Sequence, residues 1–131
     1  MVCRLIIPRL GVARWISFLL DTRADSTSVH PRDARDAGIP FAQLGNRRSS
    51  RGIGGRSSYF REPAILAFSD DTVVRIYEVN LLIADPNDNN EGLPSLHGRN
   101  VINHWFMEYD PSEDRLGFSV RHADRTLNRS T

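Results

Sequence analysis

The sequence predicts an all-β domain, a small closed β-barrel with two short helices. Two β-rich runs, residues 59–68 and 72–83, are separated by a Ser-Asp-Asp turn. Two further runs, residues 106–109 and 116–120, flank a segment rich in Asp, Pro and Ser, which is a hairpin signal. Because strands dominate and the helical signals are few, a small closed barrel is the expected architecture.

The other elements follow in chain order. Residues 2–7 and 13–20 read as strands joined by a Pro-Arg-Leu-Gly turn, and residues 28–38 contain a helix that starts near a proline and stops at a glycine. Residues 45–58 are rich in Gly, Ser and Arg and predict an exposed, mobile hairpin. A short helix is expected over residues 100–105.

Length and charge limit the classes of function. The 131 residues form one domain, which we place at residues 1–122, with a frayed polar tail at 123–131. The net charge of +1 gives no overall field for nucleic acid or a membrane surface, so neither is expected as a partner.

Cysteine and histidine usage excludes other chemistry. Cys3 is the single cysteine, so no internal disulfide is possible, and the four histidines lack the spacing of metal ligands. Arginines and a proline interrupt the apolar N-terminal twenty residues, leaving no signal or membrane segment. We expect a cytoplasmic protein without a metal or a cofactor.

The stretch from residue 18 to 28 stands out. An apolar run ends abruptly at Asp21 and Thr22, and small and hydroxyl residues suited to a tight turn follow. This order places a carboxylate at the mouth of a buried strand. The plain alternative is that Asp21 is only a turn or cap residue.

Three segments in order resemble retropepsin-like aspartic proteases. Residues 19–25, LLDTRAD, are similar to the family's active-site loop, hydrophobic-hydrophobic-Asp-Thr/Ser-Gly-Ala-Asp/Asn, with Arg23 in place of the glycine. Residues 51–55, RGIGG, resemble its flap, and residues 96–102, LHGRNVI, resemble the Gly-Arg-Asp/Asn segment that opens its helix. The chain is too short for both catalytic lobes of a two-lobed enzyme, so the resemblance implies a homodimer.

The resemblance implies a role for each matched residue. Asp21 from each subunit would share a proton and activate a water that hydrolyses a peptide bond, which needs no cofactor. Thr22 would brace the two loops across the dimer axis, and Arg99 would support the loop by pairing with Asp25, unless it is only a surface arginine. Residues lining the peptide or protein substrate would be Arg23, Ala24, Asp25, Gly52, Ile53, Gly54 and Gly55.

The glycine-rich tip suits a closing flap, with Ile53 as its apolar point. A phosphate-binding loop is excluded because no Lys-Ser/Thr pair and no helix follow. The nearby Arg47, Arg48, Arg51 and Arg56 would either favour acidic peptides or keep the loop solvated.

Arg23 is expected to impair catalysis. Its side chain would point into the cleft, and a guanidinium near the two carboxylates would favour their charged forms over the shared proton. The alternative function is therefore a catalytically silent dimer that binds peptides or serves as a scaffold.

Overall fold

The computed structural model describes residues 1–52 and 55–129. The chain is mostly β, as the sequence predicted, with short helices. Its elements are β1 (Val2–Ile7), β2 (Val12–Ser17), β3 (Leu19–Leu20), β4 (Ser28–Val29), α1 (Pro31–Asp36), β5 (Arg47–Gly52), β6 (Gly55–Ser69), β7 (Val73–Ala84), β8 (Leu96–His97), α2 (Arg99–Ile102), β9 (Trp105–Asp110), β10 (Arg115–Val120) and β11 (Arg125–Asn128).

The strands form one curled sheet and one separate hairpin. Hydrogen bonds connect the main sheet in the order β2-β1-β6-β7-β4-β8-β3, with β5 added to β6 and β11 to β7. Within the described residues, the end strands β2 and β3 do not pair with each other, whereas we had expected a closed barrel. The pairing therefore describes an open, curled sheet.

The two predicted hairpins are confirmed. β6 and β7 pair from Tyr59↔Ala84 to Ser69↔Val74, and the Asp70 carboxylate caps their turn by accepting the backbone N–H groups of Thr72 and Val73 at 2.8 Å. β9 and β10 pair from Trp105↔Val120 to Asp110↔Arg115 and form a sheet of their own.

The predicted strand at residues 13–20 is broken at Phe18. The Phe18 backbone pairs with Met1, donating to its carbonyl and accepting from its ammonium group, both at 2.8 Å. Beyond this point Leu19 and Leu20 run parallel to β8 instead. Before the break the chain therefore pairs with β1, and after it the chain pairs with β8, the strand that precedes α2. This change of partner sets the direction in which Asp21 leaves the sheet.

The other boundaries differ in two places. α2 covers Arg99–Ile102 rather than residues 100–105, because Trp105 already begins β9. Residues 125–128, expected within a frayed tail, form β11 and pair antiparallel with β7. All four β11 side chains are exposed, so backbone pairing holds this strand, together with hydrogen bonds of the flanking Asp124 and Arg129 side chains to Glu78 and Asp70.

The core lies under the sheet and reaches the β9–β10 hairpin through aromatic side chains. Alternate residues of β1, namely Cys3, Leu5 and Ile7, are fully buried, as period-two patterning requires. Trp105 of β9 donates its indole N–H to the hydroxyl of the buried Tyr77 at 2.8 Å. This bond ties the hairpin to β7.

The Tyr77 hydroxyl provides a test of this attachment. Tyr77→Phe removes the acceptor and leaves the buried indole N–H unpaired, so the free energy of unfolding should fall by about 1–3 kcal/mol in urea titrations. Tyr109→Phe is the matched control, because Tyr109 is exposed and its hydroxyl lies 3.4 Å from Asp114. Equal losses in the two variants would contradict the assignment.

Candidate active site

Asp21 lies where β3 leaves the sheet, and it is half-buried. Its backbone N–H donates to the His97 carbonyl at 3.0 Å, and its carboxylate Oδ1 accepts the Arg23 backbone N–H at 2.9 Å. Ala24 closes the turn by donating to the Asp21 carbonyl at 3.2 Å. Among the described residues no hydrogen bond reaches Oδ2, so one carboxylate oxygen remains available.

A second segment, residues 98–100, is bound to the Asp21 loop by backbone hydrogen bonds. The backbone N–H groups of Arg99 and Asn100 donate to the carbonyls of Ala24 and Asp25, at 2.8 and 3.2 Å. The Arg99 guanidinium also pairs with the Asp25 carboxylate, the two residues that the sequence predicted to meet. Both side chains are largely exposed, so the backbone bonds contribute more to the shape of the loop than the ion pair does.

A buried hydroxyl, that of Thr27, lies where residues 24–27 cross residues 98–100. The sequence analysis did not predict a function for it. The side chain of Thr27 is fully buried and donates to Asn100 Oδ1 at 2.8 Å, and the Thr27 backbone N–H donates to the same oxygen at 3.0 Å. The Gly98 N–H in turn donates to Thr27 Oγ1 at 3.2 Å. In the sequence, only the Ser-Thr-Ser run at residues 26–28 indicated a function for Thr27. Its partner Asn100 lies 73 residues away, so no local pattern joins the two.

Gly98 permits the crossing itself. A Cβ added there would lie 2.5 Å from the carbonyl carbon and oxygen of Ser26 and 2.7 Å from its nitrogen. The φ of Gly98 is −95°, a conformation open to any residue, so space and not backbone freedom requires the glycine.

Ser95 links the strand that carries Asp21 to α1. Its carbonyl accepts the Leu19 N–H at 2.9 Å, and its hydroxyl accepts the His30 N–H at 3.0 Å while donating to Asp33 Oδ2 at 2.6 Å. Ser95 is fully buried. It was not among the predicted site residues because its partners are also distant in sequence.

His97 lies directly beneath the loop. Its ring is fully buried, stacks on Phe18 at 4.1 Å between centroids, and places Nε2 4.0 Å from Cys3 Sγ. Among the residues that the structure describes, none forms a hydrogen bond with Nδ1. Burial, helped by the nearby N-terminal ammonium, lowers the pKa of His97 to about 3, so the ring is neutral.

Burial has the opposite effect on the neighbouring thiol. It raises the pKa of Cys3 to about 12, because a thiolate would be poorly solvated there. A thiol that stays protonated has no nucleophilic function at neutral pH.

Thr22 and Arg23 are both exposed at the tip of the loop. Arg23 contacts Asp21 through its backbone, and none of the ion pairs between described residues involves its guanidinium. Asn46 and Asp114 are the described non-glycine residues with positive φ, so the backbone at position 23 does not require a glycine. The predicted function of Thr22 across a dimer axis remains a prediction.

The glycine-rich segment forms the expected hairpin. β5 and β6 pair from Arg47↔Phe60 up to Gly52↔Gly55. Ile53 and Gly54, predicted as the tip of the flap, lie outside the described residues. Whether this hairpin contacts a substrate remains a prediction.

The described residues contain neither a metal-binding cluster nor a membrane-spanning helix. In ranges 1–52 and 55–129, no group of three or more His, Cys, Asp or Glu side chains is arranged to hold a metal ion. None of the helices there has the length and apolar character that crossing a bilayer requires.

Comparison with known proteins gave a distant structural likeness. No protein-family model and no curated protein matches the chain. Among solved structures, EIAV protease complexed with the inhibitor HBY-793 is similar, with a TM-score of 0.49 and 18% identity over 79% of this chain and 85% of that chain. The likeness concerns the fold alone.

Replacing Gly98 tests the crossing. Gly98→Ala should lower the free energy of unfolding by about 3 kcal/mol, because the added methyl group meets backbone atoms that cannot rotate away. Gly92→Ala is the matched control, since nothing lies within 4 Å of a Cβ there. Equal urea midpoints for the two variants would show that the segments do not cross this closely.

Acid should destabilise the fold through His97. The unfolded chain binds a proton there with a pKa of about 6.5, whereas the folded chain does so only near 3. The neutral His97 ring therefore makes its full contribution to the free energy of unfolding above pH 6.5, and this contribution is lost as the pH falls towards 3. Between pH 7 and 5 the loss is about 2 kcal/mol.

His97→Leu should flatten this part of the pH dependence of the urea midpoint. His122→Leu is the control, because that side chain is 60% exposed. An NMR titration gives an independent check: a His97 ring that protonates between pH 7 and 5 in the folded protein would contradict the prediction.

Proposed function

We propose that this chain is one subunit of a homodimeric aspartic endopeptidase that hydrolyses an extended peptide. The carrying observation is the Asp21 loop, which presents a half-buried carboxylate with Oδ2 available and is fixed by the crossing of residues 24–27 with residues 98–100. A loop that must hold a charge in a set direction needs such support.

The reaction requires two carboxylates, and each chain supplies one at this loop. With Asp21 of each subunit close to the other, like charges would resist joint ionisation, so the pair would retain one proton. The ionised carboxylate would take a proton from a water between them, the water oxygen would attack the carbonyl carbon, and the protonated carboxyl would donate its proton to the carbonyl oxygen. The tetrahedral intermediate would then collapse as the C–N bond breaks, and the amine would leave with the proton that the first carboxylate had taken from the water.

The neighbouring residues would hold this geometry. Thr22, exposed beside the carboxylate, can donate its hydroxyl to the partner's loop across the two-fold axis. The backbone bonds from Arg99 and Asn100 to Ala24 and Asp25 would keep the loop from shifting when substrate binds, and the Arg99–Asp25 ion pair would add a smaller contribution. The hairpin of β5 and β6 would cover the peptide, with Gly52, Ile53, Gly54 and Gly55 at its tip.

Arg23 favours a second candidate, a silent dimer that binds peptides. It is exposed immediately after the carboxylate and Thr22, where a substrate backbone would lie. In the dimer two guanidinium groups would face the cleft, and their charge would disfavour the shared proton. Both effects would leave binding possible while slowing hydrolysis.

Three loop variants distinguish the candidates. We expect Arg23→Gly to cleave a diverse fluorogenic peptide library at mildly acidic pH with kcat/KM at least about tenfold above the unaltered chain, equal to about 1.4 kcal/mol of barrier. Arg23→Leu keeps bulk but removes charge, so it shows which property slows the reaction. Adding Asp21→Asn to Arg23→Gly should abolish cleavage.

The other results have equally definite meanings. Cleavage that survives Asp21→Asn would exclude the proposed mechanism. A folded protein that binds peptides but hydrolyses none in any variant would establish the silent dimer instead. Full activity in the unaltered chain, lost with Asp21→Asn, would show that Arg23 turns away from the cleft.

A further inference from the structure

β2 is an end strand of the main sheet, and it is the longer of the two end strands. It has six residues, whereas β3 at the other end has two. Its register with β1 runs without a bulge from Val2↔Ser17 to Ile7↔Val12, and β2 contains no proline. Bulges and prolines are features with which proteins prevent an edge strand from pairing with another chain. β2 lacks both, so its outer edge can accept a further strand.

The hydrogen bonds at Phe18 show which backbone groups of β2 point away from β1. Phe18 and Met1 exchange two N–H···O bonds, at 2.8 Å each, so they form a hydrogen-bonded pair in the register of the β1–β2 ladder. In an antiparallel ladder such pairs alternate with pairs whose N–H and carbonyl groups point outward. The outward groups of β2 therefore belong to Ser17, Trp15 and Ala13. Together these three residues are the β2 edge.

Few groups of the described chain bind the β2 edge. The Ala13 carbonyl accepts the exposed Arg14 guanidinium at 3.1 Å, which agrees with an outward direction of this carbonyl. Outside the ladder with β1, no hydrogen bond between described residues involves the backbone of Trp15 or Ser17. The edge thus presents a row of backbone donors and acceptors at the spacing of a β-ladder. Such a row binds an extended peptide by strand addition.

The side chains around the β2 edge are aromatic and basic. Trp15 is 57% exposed, and the Arg4 guanidinium carbon lies 5.8 Å from the centre of its ring. Arg4 and Arg14 are both exposed, and neither takes part in an ion pair between described residues. Residues 1–20 contain no Asp or Glu, so no acidic side chain of β1 or β2 balances these charges. The complementary occupant of this edge is therefore acidic.

We propose that the β2 edge binds an extended acidic segment of another protein, which joins the main sheet as an antiparallel strand. The backbone of Trp15 and Ser17 would bond to the backbone of the segment, which supplies affinity. Directly opposed residues share a face, so the residue opposite Trp15 would be apolar and the next one, opposite Arg14, would be acidic. The segment would thus alternate between apolar and acidic residues.

A second copy of this chain is a poorer occupant of the β2 edge. Its own edge carries the same two arginines, and like charges that meet across two strands repel each other. The inference goes beyond the proposed function, because it uses no residue of the Asp21 loop. Binding at β2 would occur whether or not the chain hydrolyses peptides.

Labelled peptides test the pairing from the side of the segment. A fluorescein-labelled peptide of alternating Glu and Val should bind the Asp21→Asn chain in fluorescence anisotropy, and the same peptide with Lys for Glu should bind at least about tenfold more weakly. Methylation of the Val amides should also weaken binding at least about tenfold, because these N–H groups would face β2. Methylation of the Glu amides, which would point away, should change binding by less than about threefold. Equal effects of the two methylations, or no binding of the unmodified peptide, would overturn the proposal.

Variants of the chain test the same pairing from the side of the protein. Ser17→Pro removes an outward N–H and no bond to β1, so it should weaken binding of the Glu-Val peptide at least about tenfold while circular dichroism still shows a folded chain. Trp15→Ser should weaken binding to a similar extent. Phe106→Ser is the matched control, because Phe106 is 56% exposed but lies on β9, and it should change binding by less than about threefold. Equal effects of Trp15→Ser and Phe106→Ser would contradict the assigned edge.

Arg14 provides a test of the charge contact. Arg14→Glu should lower the preference for the Glu peptide over the Lys peptide at least about tenfold, since the opposed residues would then carry like charges. Arg32→Glu alters an exposed arginine of α1 and makes the same change of net charge, so it should leave this preference within about threefold of its original value. An equal loss of preference in both variants would show attraction by overall charge instead of pairing at β2, and the proposal would then be wrong.

Discussion

The Asp21 loop cannot hold its shape through its own contacts. None of residues 21–26 is buried and Ala24 is the one apolar residue among them, so apolar burial does little to fix the loop. Its geometry comes from the crossing with residues 98–100, where Gly98 lets two backbones approach and Thr27 joins them through a buried hydroxyl. The exposed Arg99–Asp25 pair adds little by comparison, because solvent screens it. The loop therefore depends first on packing and backbone bonds, and only second on charge.

His97, which lies beneath the crossing of residues 24–27 with residues 98–100, destabilises the fold in acid, whereas the proposed reaction favours acid. The His97 carbonyl accepts the Asp21 N–H, while no described residue forms a hydrogen bond with Nδ1 of its ring. A carboxylate pair works best in mild acid, and the same acid charges the unfolded chain at His97. For the proposed peptidase, the pH range of activity would therefore be limited at its acidic end by the fold as well as by the dyad.

Local signals were enough to predict much of the fold. The turns at 69–71 and 110–114 and the strands beside them follow from short-range residue chemistry, and so does a loop that ends in a carboxylate. Thr27 and Ser95 were missed because their buried partners lie more than 60 residues away. β11 was missed because its side chains are all exposed, so composition carries no sign of its backbone pairing. The open sheet, too, depends on long-range pairing.

The local structure does not explain why position 21 is an acid. In this turn the side chain accepts one backbone N–H through Oδ1, and an asparagine could do the same without a charge. A half-buried carboxylate costs solvation, and no described cation pairs with it. In the proposed homodimer, a second Asp21 that shares a proton would give this charge a function. Arg23 argues against a shared proton, because its charge favours the ionised forms of both carboxylates. Its side chain makes no described contact that the fold requires.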